Sequence, residues 1–180
     1  MKYDQHDLLT KARNLDESAL GVIYDQYSPG LYRYACRLLG DQCLAEDCVS
    51  ETFSRFLQAL GKGNGPVSHL QAYLYRIAHN WITDHYRNNH IEKSLEGNIE
   101  MKPIEGCGEI DAIEKLKVRS ALFQLTAEQR QVIVLKFLEG WDNESVAGLI
   151  NKPVNAVKAL QHRALVKLRK VLLDSEEKSQ

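Results

Sequence analysis

The sequence predicts an all-α protein: two small helical domains joined by a flexible linker, the C-terminal one containing a helix-turn-helix. Three observations lead there. Apolar residues recur at helical spacing along most of the 180 residues, and no stretch alternates as a half-buried strand would. Between Ile91 and Asp111 the periodicity lapses: Gly97, Pro103, Gly106 and Gly108 interrupt any helix while six acids accumulate, which reads as a linker. Small residues and a turn signal between two short helical patterns near the C-terminus have helix-turn-helix spacing. The expected division is 1–90, 91–111 and 112–180.

In chain order, helices are expected over Asp16–Tyr27, Pro29–Leu39, Asp41–Leu60, Ser68–Asn89, Asp111–Gln124, Ala127–Glu139, Asn143–Ile150 and Pro153–Leu173, with ends placed to within ~2–4 residues. The first two are separated at Ser28 and Pro29, a hydroxyl N-cap followed by proline at a first helical position, where its missing N–H costs nothing. The third turns Val49, Phe53, Phe56 and Leu60 inward and leaves Asp47, Glu51, Ser54 and Gln58 on a polar line. Such a line is a solvated face or a docking face for a partner's helices. Gly61 to Pro66 then forms a weakly basic loop without the Lys-Ser/Thr ending that a phosphate-cradling loop requires.

The fourth helix sets Leu70, Leu74, Ile77, Ala78, Trp81 and His85 inward, with Tyr73, Arg76, Asn80, Thr83 and Arg87 on another face. An aromatic ring, two guanidinium groups and an amide in one line can follow a nucleic-acid backbone, stack bases and bond base edges. In isolation the same line is an ordinary solvated face. Thr126 and Gln129 have capping-box spacing at the start of the sixth helix, and Gly140 suits its end.

The last two helices have the most to say. Ala147 is small enough for two helices to cross closely, and four residues on, Asn151 tolerates the positive φ that the turn demands. Val146, Ile150, Val157 and Leu160 supply a shared core. Along the second helix Val154, Val157, Ala164, Leu168 and Val171 point inward, while Asn155, Lys158, Ala159, His162 and Arg163 lie outside that stripe. A basic outward face short in bulky apolar groups can enter a major groove. Lys152 stands where such turns usually carry an apolar residue; Pro153, suited to a first helical turn, partly offsets it.

Charge agrees with this division. The net charge is -1, but residues 1–90 carry 9 basic and 10 acidic groups, 91–111 carry 2 and 6, and 112–180 carry 12 and 8. From Lys152 to Lys170 there are six basic residues and no acid, a local footprint suited to phosphate. No run approaches the roughly 20 apolar residues of a membrane span, so a cytoplasmic protein without membrane insertion is expected. Cys36, Cys43, Cys48 and Cys107 form no CxxC pair, which favours reduced, buried thiols. No GxSxG, HExxH or GxGxxG motif is present, and Cys43 and Cys48 lack usual zinc-ligand spacing. The expectation is a protein that is not an enzyme and needs neither metal nor cofactor.

Three stretches together resemble one family. Ala45-Glu-Asp-Cys-Val-Ser-Glu-Thr-Phe53, Ala72-Tyr-Leu-Tyr-Arg-Ile-Ala-His-Asn80 with Asp84 and Arg87, and Val157-Lys-Ala-Leu-Gln-His-Arg-Ala164 are similar, in order, to the hallmark stretches of extracytoplasmic-function sigma factors. Leu125 to Leu135 resembles the opening of the family's fourth region. The resemblance implies a first domain that binds the β′ clamp helices of core RNA polymerase, with Asp47, Glu51 and Arg55 on the docking helix. It implies minus-ten promoter contacts from Asn64, Tyr73, Arg76, Asn80 and Arg87. The second domain would bind the β flap and read the minus-thirty-five element through Pro153, Asn155, Lys158, Ala159, His162 and Arg163. The family's linker threads through the polymerase, where acidity would mimic nucleic acid, and an anti-sigma factor is an implied partner. Asn151, Lys152, Ala156, Leu160 and Gln161 depart from the family's usual residues, which bears on the promoter sequence more than on function. The competing expectation, a regulator with the same helix-turn-helix that never joins the polymerase, accounts for the C-terminal half alone.

Overall fold

The computed structural model describes residues 5–93 and 112–177, and every regular element among them is helical. Most of the linker expectation, residues 94–111 with Cys107, lies outside the described residues. The chain divides into two compact units, Met1–Lys102 and Pro103–Gln180.

The first unit holds α1 (Gln5–Arg13), α2 (Glu17–Leu39), α3 (Gln42–Gly61) and α4 (Leu70–Lys93). Aspartates start two of them. Asp16 accepts the Ala19 N–H at 2.8 Å and Asp41 that of Leu44 at 2.9 Å, each satisfying a donor that the helix start leaves unpaired. Gly40 ends α2 in the left-handed region at φ 73°, its N–H bonded to Cys36 at 2.9 Å. Ile23, Leu31, Tyr34, Leu38, Phe56, Leu70, Leu74 and Ile82 are fully buried between α2, α3 and α4, each stabilising the fold by ~1.5–3 kcal/mol relative to exposure.

Three expectations need correction here. The break at Ser28 and Pro29 does not occur: α2 runs unbroken with Pro29 inside it. Proline inside a helix costs ~3 kcal/mol through its lost hydrogen bond and ring clash, but Ile23, Tyr27, Leu31, Tyr34 and Leu38 form one buried stripe across it. Packing therefore outweighs local preference. Next to it, a Cβ on Gly30 would come within 2.9 Å of the Tyr75 hydroxyl, so glycine allows α2 and α4 to approach. Second, α1 was not expected; Leu8, Leu9 and Ala12 bury one side of it against α2 and α3. Third, the buried face of α4 is broader than the expected stripe. Tyr75, His79 and Ile82 are buried with Leu70, Leu74 and Ala78, because α4 packs on both α2 and α3. Ile77, Trp81 and His85 are only half-buried.

The second unit holds α5 (Ala112–Phe123), α6 (Ala127–Ile133) continued by a π-helical turn (Val134–Leu138), α7 (Asn143–Ile150) and α8 (Val154–Glu177). Both halves of the expected capping box form: Thr126 Oγ1 accepts the Gln129 N–H at 3.3 Å, and Gln129 Oε1 accepts the Thr126 N–H at 3.2 Å. The expected uniform helix to Glu139 is corrected by the π turn, in which Glu139 N–H reaches Val134 and Trp141 N–H reaches Leu135. Leu122, Leu125, Ile133 and Ala164 make a core cluster, with Leu168 packed against it.

Candidate nucleic-acid interface

The helix-turn-helix is built as its residues dictate. Asp142 caps α7 by accepting the Ser145 N–H at 2.6 Å, and that bond holds its carboxyl below the usual aspartate range. Ala147 is buried at the crossing, and Asn151 takes φ 54°, ψ 49°, the left-handed geometry that few residues other than glycine accept. The turn closes through the Lys152 N–H to the Ala147 carbonyl at 3.0 Å. Val146, Ile150, Val157 and Leu160 are all buried.

That core fixes the rotation of α8. Pro153, Asn155, Lys158, Ala159, His162 and Arg163 are all exposed, as are Lys167, Arg169 and Lys170 further along. Arg163 turns its Nε to the Ala159 carbonyl at 3.3 Å, one turn back. The helix thus presents an exposed face rich in cations, with small or polar groups at its leading end and the exposed apolar side chains of Leu165 and Val166 further along.

In the first unit the polar line of α3 stands where expected. Asp47, Ser54, Arg55 and Gln58 are exposed and Glu51 half-buried, while Val49, Phe53, Phe56 and Leu60 hold the opposite side. Glu51 Oε1 lies 2.7 Å from Arg55 Nε, a fixed acid-base pair one turn apart. The loop after α3 folds back on it. The Asn64 N–H reaches Ala59 at 2.8 Å, Gly63 adopts φ 74°, and a Cβ on Gly65 would collide with the Leu60 side chain. Asn64 itself is exposed.

On α4, Arg76, Asn80, Thr83 and Arg87 are exposed along one face and Tyr73 is half-buried at its start, its ring edge-on to Phe56 with centroids 6.2 Å apart. Asp84 Oδ1 holds Arg87 at 2.7 Å. Beside this face, Trp81 and His85 stack with centroids 5.4 Å apart and planes 11° from parallel. Behind it His79 is buried, which lowers its pKa and keeps the ring neutral. Burial likewise pushes the Cys48 thiol up to about 12, leaving no thiolate for nucleophilic or ligand chemistry. Cys36 is buried too, but Cys43 is exposed, against the expectation of buried thiols.

Two features escaped sequence reading. Thr10 and Arg13 of the unexpected α1 and Asn14 just after it, with Leu60, Gly63 and Gly65, line a cavity of about 300 Å³ beside the Asn64 loop. The spacing of Leu8, Leu9 and Ala12, and the Asp7–Lys11 ion pair at 2.9 Å, were the available signals. Lys152 is paired with Glu128 of α6 at 2.9 Å, a contact between residues far apart in sequence.

Comparison with known proteins bears on what these surfaces meet. The chain matches the family models Sigma-70 region 2 over residues 23–90 and Sigma-70, region 4 over residues 115–168. SigL of Mycobacterium tuberculosis, an ECF RNA polymerase sigma factor, is 30% identical over 164 residues, covering 87% of this chain and 90% of SigL. The chain belongs to the extracytoplasmic-function sigma factors of the sigma-70 family. A second such sigma factor, BldN of Streptomyces coelicolor, is 31% identical over 173 residues. That match covers 93% of this chain and 66% of BldN, so the chain spans just under two thirds of that relative. The solved structure of CnrH in complex with the cytosolic domain of CnrY is 27% identical, with a TM-score of 0.70 over 93% of this chain and 96% of that one. For this sigma factor, both matched regions contain a candidate face: α3, its loop and α4 in the first, the helix-turn-helix in the second. No described helix is long and apolar enough to cross a membrane.

Proposed function

We propose that this sigma factor binds core RNA polymerase through α3, opens the minus-ten element with α4 and the Asn64 loop, and reads the minus-thirty-five element with α8. The observation that carries the reading is the outward face of α8, where six candidate contacts from Pro153 to Arg163 are exposed because the turn at Asn151 fixes the helix by its buried side. Residues 1–90 serve as region 2, 91–111 as an acidic linker and 112–180 as region 4. The protein works in the cytoplasm, is not an enzyme and responds to an extracytoplasmic or stress signal. CnrH is seen bound to a cytosolic domain of another protein; in the same way an anti-sigma factor restrains this chain. Run-off transcription with core polymerase on a genomic library tests the function and reads out the promoter together. Absence of promoter-specific transcripts, with core polymerase still bound, would overturn it.

Core binding is assigned to Asp47, Glu51 and Arg55, since Phe53 and Phe56 anchor α3 from its other side. Replacing Asp47 and Glu51 with alanine is expected to weaken binding to core polymerase severalfold while thermal unfolding stays near wild type, because exposed ion pairs contribute only ~0–1 kcal/mol to folding. Unchanged core affinity in that double variant would remove α3 from the interface.

On α8, Lys158 makes no hydrogen bond or ion pair among the described residues, and Arg163 has only its backbone contact at Ala159. We assign at least one of them to a base edge, and Lys167 and Lys170 to phosphate contacts or plain solvated charge. Truncating a base contact costs ~1–3 kcal/mol and relaxes preference at one promoter position, whereas losing a phosphate contact weakens all sequences alike and lowers the salt slope by about one. Lys158→Ala and Arg163→Ala, measured on single-base minus-thirty-five variants at two salt concentrations, separate these roles. Indifference of both variants would refute the recognition-helix assignment.

A further inference from the structure

Lys152 occupies the last position of the turn before α8, with Pro153 and Asn155 exposed immediately after it. Its backbone is fixed by the bond to Ala147 at 3.0 Å, so only its side chain is free to choose a partner. That side chain runs to Glu128, Nζ to Oε1 2.9 Å, with Lys152 35% and Glu128 54% exposed. The backbone that carries Glu128 is held in place, since the reciprocal bonds of Thr126 and Gln129 fix the first turn of α6. A cation at the leading end of the recognition helix is therefore met by a carboxylate from a neighbouring helix.

An ammonium has three donors, and a carboxylate at this exposure does not use them all. We propose that Lys152 is an additional phosphate contact of the minus-thirty-five interface, and that Glu128 attenuates it, setting the sequence-independent part of promoter affinity. The proposal rests on the assignment of α8 as the reader of that element. On binding, a DNA phosphate takes the donors of the lysine that Glu128 leaves unused. Glu128 competes with that phosphate for the cation. The pair thus restrains the non-specific affinity that a run of six cations would otherwise supply, leaving more of the discrimination to base contacts.

The test uses holoenzyme assembled from the full chain and core polymerase, binding a promoter duplex and a random duplex across a salt series. Glu128→Gln is expected to raise affinity for both duplexes alike, by up to about fivefold at low salt, the strength of an exposed pair. Lys152→Ala should weaken both and reduce the salt slope by about 0.9, the contribution of one phosphate contact. In the double variant the gain from Glu128→Gln should largely vanish, because the cation it releases is gone. The same gain with and without Lys152 would show simple repulsion by the acid and overturn the proposal, as would a change confined to one promoter position. Lys158→Ala and Arg163→Ala run alongside. If these weaken binding while Lys152→Ala and Glu128→Gln leave it unchanged, the inference alone fails; if all four are silent, the reading of α8 fails with it. Thermal unfolding of each variant shows that the C-terminal unit remains folded in the comparison.

Discussion

Replacing Arg130 with alanine is expected to unfold the C-terminal unit while leaving the N-terminal one intact. Arg130 is 7% exposed, buried against the end of α5. Its guanidinium reaches the end of α5: Nε donates to Leu122 O at 2.9 Å and Nη2 to Phe123 O and Leu125 O, each at 3.4 Å. The guanidinium carbon lies 3.9 Å from the centroid of the Phe123 ring, with Arg119 on the same ring at 6.0 Å. A helix ends with four carbonyls lacking partners, and here a single planar fork reaches two residues of that end and the Leu125 carbonyl beyond it. Truncation leaves those carbonyls in a dry site and removes a cation-π contact, a loss of about 3–5 kcal/mol. A domain of this size is stable by only roughly 4–10 kcal/mol. Each unit has one tryptophan, Trp81 in the first and Trp141 in the second. Urea unfolding of the full chain in Trp81→Phe and Trp141→Phe backgrounds should show the Trp141 transition moved to much lower urea by Arg130→Ala and the Trp81 transition unmoved. Arg130→Met keeps the apolar stem without the donors; wild-type stability in that variant would mean that packing, not bonding to α5, explains the residue.

The contrast between what the sequence disclosed and what it hid follows the range of the interactions involved. The Thr126 capping box, the left-handed Asn151 and the small Ala147 are set by residues at most four positions away, so spacing identifies them. The outward face of α8 follows too, since a helix with one apolar stripe has only one way to turn. Pro29 was misread because a proline at a first helical position and one inside a helix look alike locally. The deciding signal, the stripe from Ile23 through Tyr27 and Leu31 to Leu38, was present but spans the proposed break. α1 is nine residues long and derives its stability from burial on α2 and α3, so its own propensity signal is weak.

The remaining features are tertiary. The wide buried face of α4 depends on packing against two helices at once, which moves Tyr75, His79 and Ile82 inside and leaves Trp81 and His85 half out. Arg130 bonds carbonyls five to eight residues back across a helix end, and an arginine gives no sequence sign that it will be buried. Lys152 was visible only as a departure from the usual apolar turn residue; its partner on α6 explains how a lysine is accommodated there. Of the candidate site, the exposed residues were legible because exposure is the complement of a periodic core, whereas the cavity walled by Arg13 required α1, whose spacing signal over nine residues is weak.

Asn80→Ala is expected to impair promoter opening far more than promoter binding. Asn80 stands exposed on α4 between Arg76 and Thr83, and no interaction among the described residues occupies its amide. Both an amide donor and an acceptor are therefore available to a base edge, which duplex DNA hides and a strand opened at the minus-ten element exposes. Tyr73, one end of the same face, is half-buried against Phe56, so its ring is held in place with little conformational entropy left to lose on stacking. Arg87, tied to Asp84 at 2.7 Å, suits a backbone contact, since its charge is already shared. Contacts to an unpaired base are worth ~1–3 kcal/mol each, equivalent to roughly 5- to 150-fold in the open-complex equilibrium. Asn80→Ala and Tyr73→Ala should lower permanganate reactivity at the minus-ten element by that factor, with filter binding at a temperature that blocks melting changed less than twofold. Arg87→Ala should reduce closed and open complexes together. A premelted template supplies the control: if the Asn80 defect reflects capture of a flipped base, it persists on premelted DNA, because the interaction lost is with the single strand. Full rescue by premelting would mean that Asn80 acts on the duplex, and equal loss in closed and open complexes would remove it from strand capture altogether.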